Sequence, residues 1–190
     1  MRIIAGRHRG LRLASVGAGD AGVHLRPTTD RVRESLFNLL LNGGYGNPVA
    51  NARVLDLFAG TGALGLEALS RGAAHVTFVE DGAKGRALIR ENISRCRAEG
   101  MTKLHRRDAT RLGNARGAPF DLVFLDPPYG KGLGERALAA AQAGGWLTAG
   151  GLIVWEEGGE ILPSPGLNLL DQRRYGDTRV SILRAGDLAP

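Results

Sequence analysis

Apolar residues fall along this chain in short runs separated by glycine-, proline- and polar-rich connectors, and two periodicities divide them into elements. Residues 53–58, 75–79, 103–107, 121–125 and 152–156 are brief, near-continuous apolar runs of the kind that form strands buried on both faces. Between them, 63–71, 82–99 and 135–143 carry helical spacing. An earlier helix over 28–41 sets Val32, Leu36, Leu39 and Leu40 on one face, with Thr28 or Thr29 as its cap and Asp30 in its first turn. After a turn at 163–166, residues 167–175 and 178–183 read as an antiparallel pair joined at Gly176-Asp177. Five strands alternating with helices and then a hairpin predict an α/β fold: an open, Rossmann-like, doubly wound and mostly parallel seven-stranded sheet.

The first residues read differently. Residues 1–13 suggest a small β-hairpin, with Ile3, Ile4, Leu11 and Leu13 inward and Arg7, His8, Arg9 and Arg12 outward. Residues 16–23 read as a flexible loop and 42–52 as a connector. The chain thus divides into an extension over 1–25 and one larger domain over 26–190, a size sufficient for a full α/β core.

Charge sharpens that division. The chain carries a net charge of +6. Residues 1–33 hold seven arginines against two aspartates, a net +5, and leave a near-neutral body. A basic arm on a neutral body fits contact with a polyanion, so Arg7, His8, Arg9 and Arg12 are candidate nucleic-acid contacts. Hydrophobic residues at 43% and charged residues at 23% exclude a disordered chain. No apolar run approaches the roughly 20 residues that cross a bilayer, and no apolar stretch follows the first arginines as in a signal peptide. The single cysteine, Cys96, excludes an internal disulfide and offers no zinc cluster. A cytoplasmic protein with no metal and no membrane contact is expected, as a monomer.

The most informative stretch is Asp121-Leu-Val-Phe-Leu-Asp-Pro-Pro-Tyr-Gly130. An apolar strand runs into two prolines, which fix φ and remove two donors, so no ladder continues there. The Asp126 carboxylate, the Pro127 carbonyl and the Tyr129 ring are then held together just past a strand end. Two acceptors and a ring suit a planar group bearing an exocyclic NH2, each acceptor taking one N–H while the ring stacks. Drawing both hydrogens to fixed acceptors favours a tetrahedral nitrogen whose lone pair is free to attack. Asp126, Pro127, Pro128 and Tyr129 are the candidate catalytic residues, and Lys131 in the following glycine-rich loop is a candidate phosphate contact.

Upstream, Gly60-Thr-Gly-Ala-Leu-Gly65 follows a strand and opens a helix, which fits a nucleotide-binding turn. Asp56 lies four residues earlier, where its charge opposes a pyrophosphate at the helix N-terminus but suits a ligand with ammonium and sulfonium groups. Glu80, twenty positions after Gly60, is placed to accept from both hydroxyls of a ribose. Asp108 follows the third strand.

The Asp-Pro-Pro-Tyr tetrapeptide resembles that of the amino-methyltransferases, which modify adenine N6, guanine N2 or, in one branch, glutamine. The run Asp56-Leu-Phe58-Ala59-Gly60-Thr61-Gly62 resembles the cofactor loop of class I S-adenosylmethionine-dependent methyltransferases. The segment Arg26-Pro-Thr28-Thr-Asp-Arg-Val-Arg-Glu-Ser-Leu-Phe-Asn38 resembles one that lies against that cofactor's methionine end. With Arg2-Ile-Ile-Ala-Gly6 and Tyr175-Gly-Asp-Thr-Arg-Val180, the likeness covers nearly the whole chain. It is to the bacterial 16S rRNA (guanine-N2)-methyltransferases of the RsmD type.

The resemblance implies S-adenosylmethionine held by Asp56, Phe58, Ala59, Gly60, Thr61, Gly62, Glu80, Asp108, Ala109 and Thr28, with Asp108 on the adenine amine and the Ala109 N–H on the ring. It implies transfer to N2 of a guanine of 16S rRNA in the small ribosomal subunit, expected at guanine 966 in the usual rRNA numbering, and RNA contact through the N-terminal extension. The tetrapeptide itself does not separate guanine N2 from adenine N6 of DNA or RNA. The lack of room for a DNA-recognition domain favours RNA. Cytosine-C5 chemistry needs a thiolate, and Cys96 is far along the chain from Asp126. Glutamine methylation would more often use Asn at position 126. An NAD-dependent oxidoreductase lacks a candidate proton donor, and a non-catalytic RNA-binding module would not need Asp126–Tyr129 intact.

Overall fold

The computed structural model describes residues 1–15 and 29–186. The loop expected at 16–23, the boundary near 25 and Thr28 lie outside the described residues. The elements run α1 (Asp30–Asn42), β1 (Arg53–Leu57), α2 (Ala63–Ser70), β2 (His75–Val79), α3 (Ala83–Arg95), β3 (Thr102–His105), β4 (Phe120–Leu125), α4 (Leu133–Ala143), β5 (Leu147–Glu157), β6 (Leu167–Tyr175) and β7 (Thr178–Ala185). The seven strands form one sheet in the order β3-β2-β1-β4-β5-β7-β6. The first five are parallel, and β7 runs antiparallel to β5 and β6. The chain winds outward from β1 to β3 and then crosses back to β4. The crevice between the carboxyl ends of β1 and β4 is therefore the place where such sheets bind ligands.

Both faces of the central strands are covered, which is why their sequences read as continuous apolar runs. Val54, Val76, Phe78, Leu122 and Phe124 pack on one face against Leu36, Phe37 and Leu40 of α1, Leu66 and Leu69 of α2, and Ile89 of α3. Leu55, Leu57, Val79, Val123 and Leu125 point to the other face, under Ala137, Leu138 and Ala141 of α4. Each fully buried leucine or phenylalanine contributes about 1.5–3 kcal/mol. The Thr29 hydroxyl caps α1 by accepting from the Val32 amide at 3.2 Å. The buried face of that helix is Arg33, Leu36, Phe37 and Leu40, rotated from the predicted stripe, with Val32 and Leu39 only partly covered.

Arg33 is fully buried because Asp30 and Glu67 neutralise it, at 2.9 and 3.6 Å. Glu67 lies in the middle of the apolar helix α2 and is itself wholly buried. It pairs with Arg71 at 2.7 Å and accepts the backbone amides of Ile4 at 2.8 Å and Ala5 at 3.0 Å. The first residues pair antiparallel at their base, Ile3 donating to Leu11 at 2.9 Å and Leu13 to Met1 at 3.2 Å, and the Glu67 bonds keep that pairing short of full strands. With two donors turned onto Glu67, residues 1–13 fold as a tight loop closed by one isolated bridge, Arg2 to Arg12. Ile3 and Leu13 are buried beneath it, whereas Ile4 and Leu11 are only partly so. Arg7, Arg9 and Arg12 are exposed as expected. His8 is not turned outward: its amide donates to the Ser70 hydroxyl at 3.0 Å and its ring is partly buried. Burial, then Arg7, lowers its pKa.

Other boundaries differ locally. β5 begins at Leu147 and passes through Gly150-Gly151, where its pairing with β4 shifts between Phe120 and Leu122. α3 ends at Arg95 because Arg97 takes a left-handed φ of 49° and turns the chain.

Candidate active site

β1 delivers Asp56 into the interior, where a carboxylate needs a partner. Its Oδ2 accepts the Gly65 amide at 2.9 Å, one of the donors left open in the first turn of α2. The contact requires glycine at position 65, since a Cβ there would lie 2.5 Å from the Phe78 ring and 3.0 Å from Asp56 itself. After β1 the chain turns sharply. Phe58 takes φ 57°, a left-handed conformation strained for an aromatic residue, and Gly60 and Gly62 also have positive φ. Gly62 donates back to the Ala59 carbonyl at 2.7 Å, and Ala59 to Val79 at 3.2 Å. The loop Asp56–Gly62 is thus rigidly shaped at the mouth of the crevice, with Thr61 buried in it.

Glu80 closes the loop from the end of β2. Its carboxylate accepts the Gly60 amide at 2.9 Å and the Gly82 amide at 2.7 Å, which fixes its orientation. Two lone-pair sites remain for other donors. The absence of a side chain at Gly85 leaves space beside it, for a Cβ there would meet Glu80 at 2.8 Å and the Gly60 carbonyl at 3.0 Å. At the end of β3, Asp108 is exposed and caps a short 3-10 turn, Ala109–Arg111. One oxygen accepts both the Thr110 hydroxyl at 2.7 Å and its amide at 2.8 Å. These bonds, the hydroxyl first, hold its carboxyl below the ordinary range. Ala109 is buried next to it.

At the end of β4, Asp126 is partly buried, Pro127 is buried, and Pro128 and Tyr129 are half-covered. Tyr129 is fixed at two points. Its ring lies against Gly158, where a Cβ would come within 2.9 Å, and its hydroxyl pairs with Thr178 at 3.2 Å. Burial pushes its pKa up to about 12, so the phenol stays protonated. Gly130 is tied to the Glu157 carboxylate at 3.1 Å, and the exposed Lys131 follows just before α4. Glu157 ends β5, the neighbour of β4, and Thr178 opens β7, one strand further out. No local motif marks Glu157, although Thr178 lies within the Tyr175–Val180 segment.

Asp56, Glu80, Asp108 and Asp126–Tyr129 therefore all fall at the carboxyl ends of adjacent strands. Burial raises the Asp56 carboxyl well above its ordinary value of 3.8, and the charges of Asp126 and Glu80 raise it further. Burial likewise raises Glu80. Asp56, Glu80 and Asp126 together make a poor phosphate site and a good one for a cation beside a nucleoside.

The sign of the Asp56 shift gives an expectation. The native state holds that proton more tightly than the unfolded chain, so this group costs stability progressively as pH rises above about 4. Asp56→Asn should gain stability relative to wild type between pH 4 and 7 in denaturant titrations, while binding of a cationic ligand weakens. A stability difference flat across that range would contradict the buried-carboxylate account.

The arm and the cofactor-type loop also meet. The Asn92 side chain of α3 accepts the Ala14 amide at 2.6 Å and donates to the carbonyls of Ala14 and Thr61 at 3.0 and 2.9 Å. Glu67 and Asn92 are the residues that sequence reasoning missed, and an acid inside the apolar run Ala63–Ser70 is the signal for the first. Cys96 is buried at the end of α3, and burial pushes its thiol up, away from a nucleophilic role.

Comparison with known proteins agrees with this geometry. The ribosomal RNA small subunit methyltransferase D of Escherichia coli is 41% identical over 157 residues, 82% of this chain and 74% of that protein. YlbH of Bacillus subtilis is 37% identical over 193 residues, 97% of this chain and 98% of its own. The solved structure of yhhF from Escherichia coli superposes with a TM-score of 0.82 at 34% identity, covering 98% of both chains. A family model described as "Conserved hypothetical protein 95" matches residues 1–184. The chain belongs to that family, the family of the ribosomal RNA small subunit methyltransferase D proteins.

Proposed function

We propose that this enzyme transfers a methyl group from S-adenosylmethionine to the exocyclic N2 of a guanine in 16S rRNA. The observation that carries the reading is Asp126-Pro127-Pro128-Tyr129, set at the carboxyl end of β4 beside the switch point, with the Tyr129 ring pinned by Gly158 and Thr178. S-adenosylmethionine supplies an electrophilic methyl on a sulfonium, and the three acids favour such a cation over a phosphate ligand. Glu80 offers its remaining lone pairs to ribose hydroxyls, and Asp108 its second oxygen to an adenine amine. Phe58, Ala59, Gly60, Thr61 and Gly62 shape the wall, and Ala109 presents its amide next to Asp108. Thr28 is assigned to the methionine end.

A guanine enters by leaving its stack, and Tyr129 replaces part of the lost stacking. Asp126 and the Pro127 carbonyl accept the two N2 hydrogens and aim the lone pair, while Pro128 locks the turn. Asp126 or a water takes the departing proton. The reading supports a domain over 26–190 that carries the chemistry and an arm over 1–25 that carries RNA contacts through Arg7, Arg9 and Arg12, with Lys131 on a substrate phosphate.

Three checks follow. Methyl transfer from labelled S-adenosylmethionine should reach 16S rRNA, in small ribosomal subunits or deproteinised, and leave duplex DNA unlabelled. Label in DNA alone would overturn the substrate. Tyr129→Phe should cost activity only about fivefold, the worth of one hydrogen bond near 1 kcal/mol. Tyr129→Ala should cost a further factor of about five to 150 beyond that, the range for a lost base–aromatic stack of 1–3 kcal/mol. Equal losses would remove stacking from the account. Charge reversal at Arg7 and Arg9 should flatten the salt dependence of RNA binding by about 1–2 in log–log slope. An unchanged slope would refute the arm's assignment.

A further inference from the structure

On the face of the sheet that carries α4, a pocket of about 330 Å³ lies over the amino-terminal halves of β1 and β2 and along β3, roofed by residues 114–118. It is separate from the site at the carboxyl ends. Arg53, Lys103, Arg107 and Arg116 line it with His75 and His105, and among the described residues no aspartate or glutamate does. The nearby Asp121 carboxylate is turned to the Arg53 amide at 2.9 Å and the Thr148 hydroxyl at 3.3 Å.

Two of the cations are held in place by neutral partners. The Arg53 guanidinium donates to the carbonyls of Pro119 at 3.2 Å and Ala118 at 3.3 Å and sits 5.1 Å over the Phe120 ring. Arg107 donates to the Leu112 carbonyl. Carbonyls fix these groups without cancelling their charge. Phe120 and Trp146, both buried and stacked at 6.0 Å, give the pocket a low-dielectric floor that concentrates the field. The histidines register that field: burial lowers both pKa values, and Arg53 and Lys103 lower His75 further, as Lys103 and Arg107 do His105.

The pocket is not isolated on the surface. β3 is an edge strand of the sheet. On its other side Arg7 of the arm lies 3.2 Å from the Met101 sulfur, just before β3 begins. Lys103 and His105 are in β3, Arg107 follows it, and Asp108 of the candidate site comes next. A basic track therefore wraps the edge from the arm to the pocket. An isolated anion would not call for such continuity, whereas a chain of phosphates would.

We propose that this pocket is a phosphate-binding site that takes a backbone phosphate of the RNA substrate away from the methylated base. Its volume, about eleven times the ~30 Å³ of a liquid water, admits a phosphate with its attached sugar. The proposal rests on the RNA reading above for the source of that phosphate.

The test uses the full chain and the double variant Lys103→Ala/Arg116→Ala, both positions exposed and neither needed to hold Arg53 or Arg107. Binding of a labelled oligoribonucleotide should lose about 0.7–0.9 of its log–log salt slope, equivalent to about five- to eightfold in affinity at 0.1 M salt. S-adenosylmethionine binding should be unchanged. In parallel, inorganic phosphate and then the oligoribonucleotide would be titrated while the His75 and His105 ring signals are followed by NMR. Shifts from both, with the oligoribonucleotide displacing phosphate, are expected. Shifts from phosphate alone would overturn the RNA assignment in favour of a small anion, and shifts from neither, or an unchanged salt slope, would overturn the pocket. Failure of wild type to methylate rRNA would show separately in the transfer assay, because the phosphate titration reads the pocket without any methyl transfer.

Discussion

Asp126→Ala is expected to lower methyl transfer by about 10²–10³-fold, the usual loss when one preorganised polar partner of a reacting group is removed. The substitution takes away the carboxylate that accepts an amine hydrogen and leaves Asp56, Glu80 and the Asp56–Gly62 loop in place. Binding of S-adenosylmethionine should therefore change little, and calorimetric titration beside single-turnover kinetics separates the two quantities. The substitution should also let the Asp56 proton go more easily, since the Asp126 charge is one of the influences that raise the Asp56 carboxyl. Parallel loss of binding and turnover would place Asp126 with the cofactor and remove it from the amine.

The second large effect lies at Glu67. Glu67→Ala leaves Arg33 buried without its central partner, and breaking a buried ion pair from one side costs about 3–5 kcal/mol. For a chain of this size that lowers the melting temperature on the order of 10 °C. The same change frees the amides of Ile4 and Ala5, so the arm should loosen as well. Trypsin should then cut at Arg7 and Arg9 well before the sheet unfolds. Destabilisation below about 1 kcal/mol with the arm still protected would show that Glu67 is not its anchor.

These two predictions differ in how far the sequence foretold them. The strands, their order of appearance and the placement of Asp56, Glu80, Asp108 and Asp126 were legible because continuous apolar runs and Gly–Pro punctuation are local signals. The candidate chemistry of Asp126–Tyr129 was readable for the same reason: its parts are adjacent in the chain. Arg33 and Glu67 were not, since a helical stripe argument sorts charged residues outward unless their partners are known. Those partners come from α1, α2 and the arm, brought together only by packing. The same long-range bonds shorten the expected hairpin to a pinned loop with one bridge.

Tyr129 shows both sides within one residue. Its ring was readable from the tetrapeptide, but its immobility depends on Gly158 after β5 and Thr178 at the start of β7. The cations of the second pocket, at positions 53, 103, 107 and 116, are scattered through the chain and gather only on one face of the finished sheet.

The site combines features that work against stability: a strained Phe58, a buried Asp56 carboxyl and three acids in proximity. On the proposed reading a cationic ligand offsets the charge of the acids, so S-adenosylmethionine should raise the melting temperature through mass action.

The measurement that tests the central claim most directly is the identity of the methylated nucleoside. Small ribosomal subunits lacking the modification would be incubated with the enzyme and labelled S-adenosylmethionine, the 16S rRNA digested, and its nucleosides separated by mass spectrometry. Label in N2-methylguanosine, absent with Asp126→Ala, is the predicted result. Label in N6-methyladenosine, or N2-methylguanosine formed equally well by the alanine variant, would contradict the account.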